Sequence, residues 1–322
     1  MLNNIRLFLL IIAGLTAACQ ASGATPIPRN KTLHFPNSQF ATIDSALIHY
    51  RLWMTPVKPA RGKVLFIHGF MGSTFCFRKN YDSLLNAGYN ILAVDLPAFG
   101  YSDRATWINH SQSGRAVMIW KLMDRIDRRD TTKWNVIGHS MGGGTAEAVA
   151  LLRPGRVQSL TLIDAMFFDK NSGLMSTAFS PLKIKAVNDF YVDYAEHFLL
   201  TYERVGKLLK SGYGQMPDTA DVEGYMNPLR IPETAQALVS SFSNCKEVVP
   251  LDAGGLKSVP VMVVWGTKDR WIPPRMVKII RSSVPQMELH KINGAGHMPM
   301  ETHPKEFNGI LVNFLDRVNG IK

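Results

Sequence analysis

With 322 residues, 46% of them hydrophobic and 19% charged, the chain can bury a core without disulfides or metal, which excludes disordered and fibrous classes. Its net charge of +11 is spread out, with no Lys/Arg block interleaved with aromatics, so no nucleic-acid partner is expected. No internal repeat points to a solenoid.

The first predicted element is a targeting segment. Arg6 precedes the apolar run Leu7 to Ala18, too short to cross a bilayer comfortably but suited to a signal-peptide core. Residues 1–24 are read as a signal peptide, and the protein as exported, periplasmic or secreted; a buried N-terminal helix is the alternative. Ser22-Gly23-Ala24 offers an ordinary cleavage point. Leu15-Thr16-Ala17-Ala18-Cys19 competes with it, because it resembles a bacterial lipoprotein processing site, with Thr16 where that site usually has Leu. That cut would end the signal at Ala18 and leave Cys19 to carry a lipid and attach the protein to a membrane. Cys76 and Cys245 are the other two thiols, and whether they pair depends on how close their Cα atoms come.

After a polar leader (Ala21 to Asn30), a short β-rich region ends near Trp53. Lys63 to Ile67 is then a compact apolar run that stops at His68-Gly69. Runs of this kind read as strands buried on both faces, as in a parallel sheet. Ile91 to Val94, Asn135 to Ile137, Leu160 to Ile163 and Val261 to Trp265 repeat the pattern, and Glu288 to Ile292 repeats it more weakly. Helical patterns lie between them, for example Gly114 to Arg128 and Thr145 to Leu152. The alternation predicts an α/β fold: a mostly parallel central sheet with helices on both faces. The core is expected over residues 45–165 and 251–318. Residues 166–250 lack a buried-strand run and are rich in aromatics, which predicts a helical cap inserted over the strand ends.

Ligands of such sheets bind beyond the carboxyl ends of the strands, so the residues there are the candidates for chemistry. Gly138-His139-Ser140-Met141-Gly142 fits G-x-S-x-G between an apolar run and a helical one, the context of a nucleophile elbow. A serine hydroxyl needs a base to take its proton. Among nine histidines, His297 follows the last predicted strand in Gly294-Ala295-Gly296-His297; His303 and His290 are positional contenders, and His68 and His139 read as pocket-shaping. The acid that orients the base is expected at Asp269, just after Trp265-Gly266, with Asp164 at the end of the preceding strand as its rival. The main-chain amides of Phe70 and Met141 are the expected oxyanion donors. No H-E-x-x-H, C-x-x-C or G-x-G-x-x-G appears, so neither a metal nor a nucleotide cofactor is expected.

Five segments occur in one order: His68-Gly69-Phe70, Asp95 to Ser102, Gly138 to Gly143, Trp265 to Asp269 and Gly294 to His297. Their sequence and spacing resemble the α/β-hydrolase superfamily over roughly residues 45 to 318, with Ala98 where the second segment usually has Gly. Within it the chain is similar to bacterial lipases and esterases, including monoacylglycerol-lipase-like members. Epoxide hydrolases and haloalkane dehalogenases use Asp at the elbow, where this chain has Ser140. The resemblance implies a carboxylesterase or lipase acting on a small-molecule ester or lipid through an acyl-enzyme. Carbon–carbon bond hydrolases and perhydrolases share the same triad and stay open, as does a ligand-binding protein without catalysis.

Overall fold

The computed structural model describes residues 35–128, 130–168 and 180–321. The expected signal peptide and Cys19 lie outside the described residues. Eight strands form one sheet in the order β1-β2-β4-β3-β5-β6-β7-β8. They are β1 (Ser38–Ile43), β2 (Ala46–Trp53), β3 (Gly62–Ile67), β4 (Tyr89–Val94), β5 (Trp134–His139), β6 (Val157–Ile163), β7 (Val261–Gly266) and β8 (Glu288–Ile292). The first two are antiparallel, and β2 pairs antiparallel with β4; every later pairing is parallel. Asp44 and Ser45, both at positive φ, join β1 to β2 in a two-residue hairpin whose twist matches the strands.

Every residue of β3, β5 and β7 is buried, which is why these strands read as unbroken apolar runs. At the sheet edge β8 is half-exposed along most of its length, and its weaker apolar signal follows from that exposure.

The helices that follow the early strands are α1 (Tyr81–Asn86), α2 (Gln112–Ile126) and α3 (Met141–Leu152). The helix α3 begins four residues before the expected Thr145. Gly142-Gly143-Gly144 forms its first turn because tertiary approach demands bare backbone there. A Cβ on Gly142 would strike the carbonyl oxygens of Ile67 and His68, and one on Gly143 would strike Ala165.

Between β6 and β7 the described segment is helical: α4 (Lys185–Tyr194), a π turn at Ala195–Leu199, α5 (Tyr202–Tyr213), α6 (Thr219–Leu229) and α7 (Thr234–Ser243). Thr201 and Asp218 cap α5 and α6 by accepting from the amides of Arg204 and Asp221. Val205, Leu209, Gly212 and Tyr213 give α5 a buried stripe at helical spacing. Three helices complete the chain: α8 (Arg275–Ser283), α9 (Pro299–Thr302) and α10 (Pro304–Val318). One helical layer is α2 packed on α3; the other joins α1 to α10. Cys76 is buried, Cys245 is half-buried, and both are free thiols. Among the described residues no helix is long and apolar enough to cross a membrane.

Candidate active site

β3 pairs with β4 on one side and β5 on the other, so the loops leaving β3 and β5 diverge and open a crevice at the strand ends. Ser140 sits there at φ +53° and ψ −123°, a conformation an L-residue holds only when its surroundings impose it. Three main-chain hydrogen bonds do so. The Ser140 amide donates to Ile163 (3.0 Å), and its carbonyl accepts from Gly143 (2.9 Å) and Met166 (3.0 Å). The turn is thus clamped between α3 and the end of β6.

His297 lies in the loop after β8. Its amide donates to the Gly212 carbonyl at 2.7 Å, and its carbonyl accepts from His139 Nε2 at 2.8 Å. The His297 ring packs between His139 and Trp271, with both ring centroids at 4.8 Å. Nδ1 of His297 faces Asp269 Oδ2 at 2.9 Å. The other ring nitrogen, Nε2, is buried without a hydrogen-bond partner among the described residues. Ser140 and His297 line one cavity together with Phe70, Leu199, Leu208 and Trp271. The structure therefore brings Ser140, His297 and, through the His297 ring, Asp269 into one site.

Asp269 Oδ1 accepts from the amides of Trp271 (2.7 Å) and Ile272 (3.2 Å). Burial pushes its carboxyl up, but the electrostatic pull of the His297 ring and the hydrogen bonds from His297 and Trp271 outweigh burial and hold it below the ordinary Asp value. Asp164, the rival acid, is also brought here: Asp164, Asp269 and His297 each place a polar atom within 4.8 Å of the others.

The remaining expected residues separate clearly. Phe70 lines the cavity, and Met141 is the first residue of α3, directly after Ser140. His68 is fully buried, with Nδ1 donating to the Gly69 carbonyl (2.7 Å) and Nε2 accepting from the Leu96 amide (2.9 Å). Burial lowers its pKa, so it is a neutral brace for the loop after β3. His139 is likewise neutral, with burial first and His297 second driving it down to about 3. His290 lies beside Glu288 on the sheet edge, and His303 pairs with Thr302.

A second Ser-His-Asp chain shows why side-chain geometry alone is insufficient. His49 Nδ1 meets Asp95 Oδ2 at 2.7 Å and His49 Nε2 meets Ser38 Oγ at 2.8 Å, all three buried. Ser38 lies at the start of β1, in no strained turn, and its hydroxyl accepts the Phe35 amide. Asp95 also accepts from the amides of Thr74 and Tyr101, and its carboxyl, despite burial, is held down to about 2 by His49 and these bonds. This cluster ties the hairpin to the sheet.

Two features escaped the sequence reading. Trp271, two residues past Asp269, packs tilted against the His297 ring, and an aromatic next to an acid carries no signal of that kind. The second is a buried ionic cluster below the cavity. Glu301 of α9 accepts from Arg78 and from the hydroxyls of Tyr213 (2.8 Å) and Tyr225, and Arg78 also pairs with Asp221. Arg78 and Glu301 lie 223 residues apart, beyond any local pattern.

Residues 63–304 match the family model described as alpha/beta hydrolase fold. The chain is 28% identical over 242 residues to Lipase 3 of Moraxella sp. strain TA144, covering 74% of this chain and 72% of that protein. It is 25% identical over 284 residues to a 2-hydroxy-6-oxononadienedioate/2-hydroxy-6-oxononatrienedioate hydrolase of Cupriavidus pinatubonensis, covering 86% and 95%. Among solved structures, a bacterial membrane phospholipase A superposes with a TM-score of 0.64 at 22% identity, covering 87% of this chain and 86% of that one, a likeness of fold. With the sheet order, the strained serine turn and the match over residues 63–304 together, the chain belongs to the α/β-hydrolase fold family.

Proposed function

We propose that this chain is a carboxylic ester hydrolase, an esterase or lipase working through Ser140, His297 and Asp269. The observation that carries the reading is the 2.9 Å Nδ1–Oδ2 contact of His297 with Asp269, while Ser140 and His297 share a cavity. In the reaction Ser140 Oγ attacks the ester carbonyl carbon and its proton passes to His297 Nε2. The carbonyl electron pair moves to oxygen, facing the amides of Phe70 and Met141 at the start of α3. Collapse expels the alcohol, which takes the proton from Nε2 and leaves an acyl-Ser140. Water then repeats both steps and frees the acid. Asp269 fixes the tautomer and stabilises the imidazolium.

The mainly apolar lining, with Phe70, Leu199, Leu208 and Met298, suits lipid or medium-chain acyl groups. A p-nitrophenyl ester series of increasing chain length tests the proposal. The native protein turns over esters, and folded Ser140→Ala falls by about 10⁴-fold or more. Undiminished turnover in that variant removes the reading. A second reading, carbon–carbon bond hydrolysis on the same residues, draws support from the Cupriavidus relative. A dienone-type acid in the same panel, turned over faster than every ester, would replace the first reading with the second. We also propose export, with Cys19 lipidation or a cut near Ala24 as the two products. The intact mass of the protein recovered outside the cytoplasm separates them, and recovery with residues 1–24 still attached contradicts export by cleavage.

A further inference from the structure

We propose that Asp164 is a neutral carboxylic acid whose hydroxyl donates to the Asp269 carboxylate, which makes it the positioning residue for the acid of the site. The inference rests on the assignment of Asp269 given above. It starts from a count of donors. An ionised carboxylate offers about four lone-pair sites. On Asp269 three are taken, by the Trp271 amide (2.7 Å), the Ile272 amide (3.2 Å) and His297 Nδ1 (2.9 Å). Asp164 places a carboxyl oxygen within 4.8 Å of the polar atoms of Asp269 and His297, which makes it the side chain placed to meet the fourth. On Asp164 itself, among the described residues, only Oδ1 has a donor, the Gly266 amide at 3.0 Å, while Oδ2 is buried with no hydrogen-bond partner.

Two buried carboxylates this close cannot both ionise, because each charge sits in a poorly screened environment beside its like. The proton goes to the one with fewer donors, and that is Asp164. Burial and the Asp269 charge both push the Asp164 carboxyl well above the ordinary range. With the proton on Oδ2, the buried atom without a partner becomes a donor and both carboxyl groups are satisfied.

The backbone fixes this geometry. Asp164 stands at φ +40°, directly after β6, and its amide donates to the Val264 carbonyl at 3.0 Å. Its side chain reaches across to Gly266, three residues before Asp269. The same turn holds the serine, because the neighbouring Ile163 carbonyl accepts the Ser140 amide. Asp164 therefore couples the end of β6, which clamps the nucleophile, to the loop that carries the acid.

Asn is the informative replacement. Its carbonyl oxygen can keep the Gly266 contact and its amide can donate to Asp269, so it copies a neutral acid and cannot copy a carboxylate. In infrared difference spectra near neutral pH, native protein minus Asp164→Asn should show the carbonyl stretch of a protonated carboxylic acid. Absence of that band overturns the proposal, whatever reaction the protein catalyses. In kinetics, Asp164→Asn should keep kcat/KM within about threefold, whereas Asp164→Ala, which removes a hydrogen bond to a charged group, should lose about tenfold or more in kcat. The Ala variant should also shift the acid limb of the kcat/KM profile upward, because an Asp269 with one donor fewer holds the imidazolium more tightly. An Asn variant as inactive as Asp269→Asn would mean that Asp164 works as an anion, and that overturns the proposal too. Should the Ala variant fail to fold, the infrared and Asn results still decide.

Discussion

Ser140 occupies a backbone conformation that most residues avoid, and the glycines around it make that conformation affordable. Gly142 is the clearest case, since a methyl group there would meet two main-chain oxygens, of Ile67 and His68, which cannot swing aside as a side chain can. Gly142→Ala should lose about 1–3 kcal/mol of stability, the usual cost of overpacking, and most of its turnover. Chemical denaturation with an unchanged midpoint would contradict this. His297→Ala should lower kcat by about 10⁴ to 10⁶, and Asp269→Asn by about 10⁴, in the ester assay, both with unchanged circular dichroism. At this scale the sequence was informative for a physical reason. Ser140 and Asp269 come just after the buried strands β5 and β7, and His297 after the half-exposed β8, so local pattern and position coincide. Asp164 met the same criterion and appeared as a rival; only its three-dimensional neighbours distinguish the two acids.

Elements written as local patterns were legible, and elements set by tertiary contact were not. The buried strands announced themselves as apolar runs, while the start of α3 was hidden because three glycines look like a break until the backbone pressed against them is seen. The attachment of the segment between β6 and β7 was hidden altogether. It relies on the buried cluster in which Arg78 and Glu301 of the core meet Asp221, Tyr213 and Tyr225 of α5 and α6. Glu301 is fully buried, and burial raises its carboxyl despite Arg78, so the arginine is what makes the charge tolerable. Removing one partner of such a group costs about 3–5 kcal/mol, because the other charge stays buried and unpaired. Arg78→Met should therefore destabilise the protein by about that amount in urea titration, and should speed proteolysis within α5 and α6. A loss below about 1 kcal/mol, the range of an exposed pair, would show that the cluster does not anchor these helices.

For the molecule as a whole, buried histidines shape the response to acid, with His68 held below its ordinary value by burial and two others further down. His110 and His139 are each driven down to about 3, in both cases first by burial. Between the ordinary value near 6.5 and about 3 the unfolded chain binds protons on these rings that the folded chain does not. Stability is therefore full above that window and falls as pH drops through it, by up to about 1.4 kcal/mol per pH unit for each histidine. Asp95 acts in the same sense but at lower pH. Its carboxyl at about 2 stabilises the fold above the ordinary Asp value and gives that up only as pH falls through about 2. Urea midpoints should be lower at pH 5 than at pH 7, and equal midpoints would contradict this. Fold class was legible throughout because alternating strands and helices leave few topologies, whereas the ionic and histidine contacts depend on residues far apart in sequence. Acyl transfer in this site depends on Ser140 being the attacking group, and a fluorophosphonate followed by intact-mass and peptide mapping measures that directly. One adduct on Ser140, absent from Ser140→Ala and sharply slowed in His297→Ala, is the result expected. No adduct on the native protein, or equal labelling of a folded Ser140→Ala variant, would contradict it.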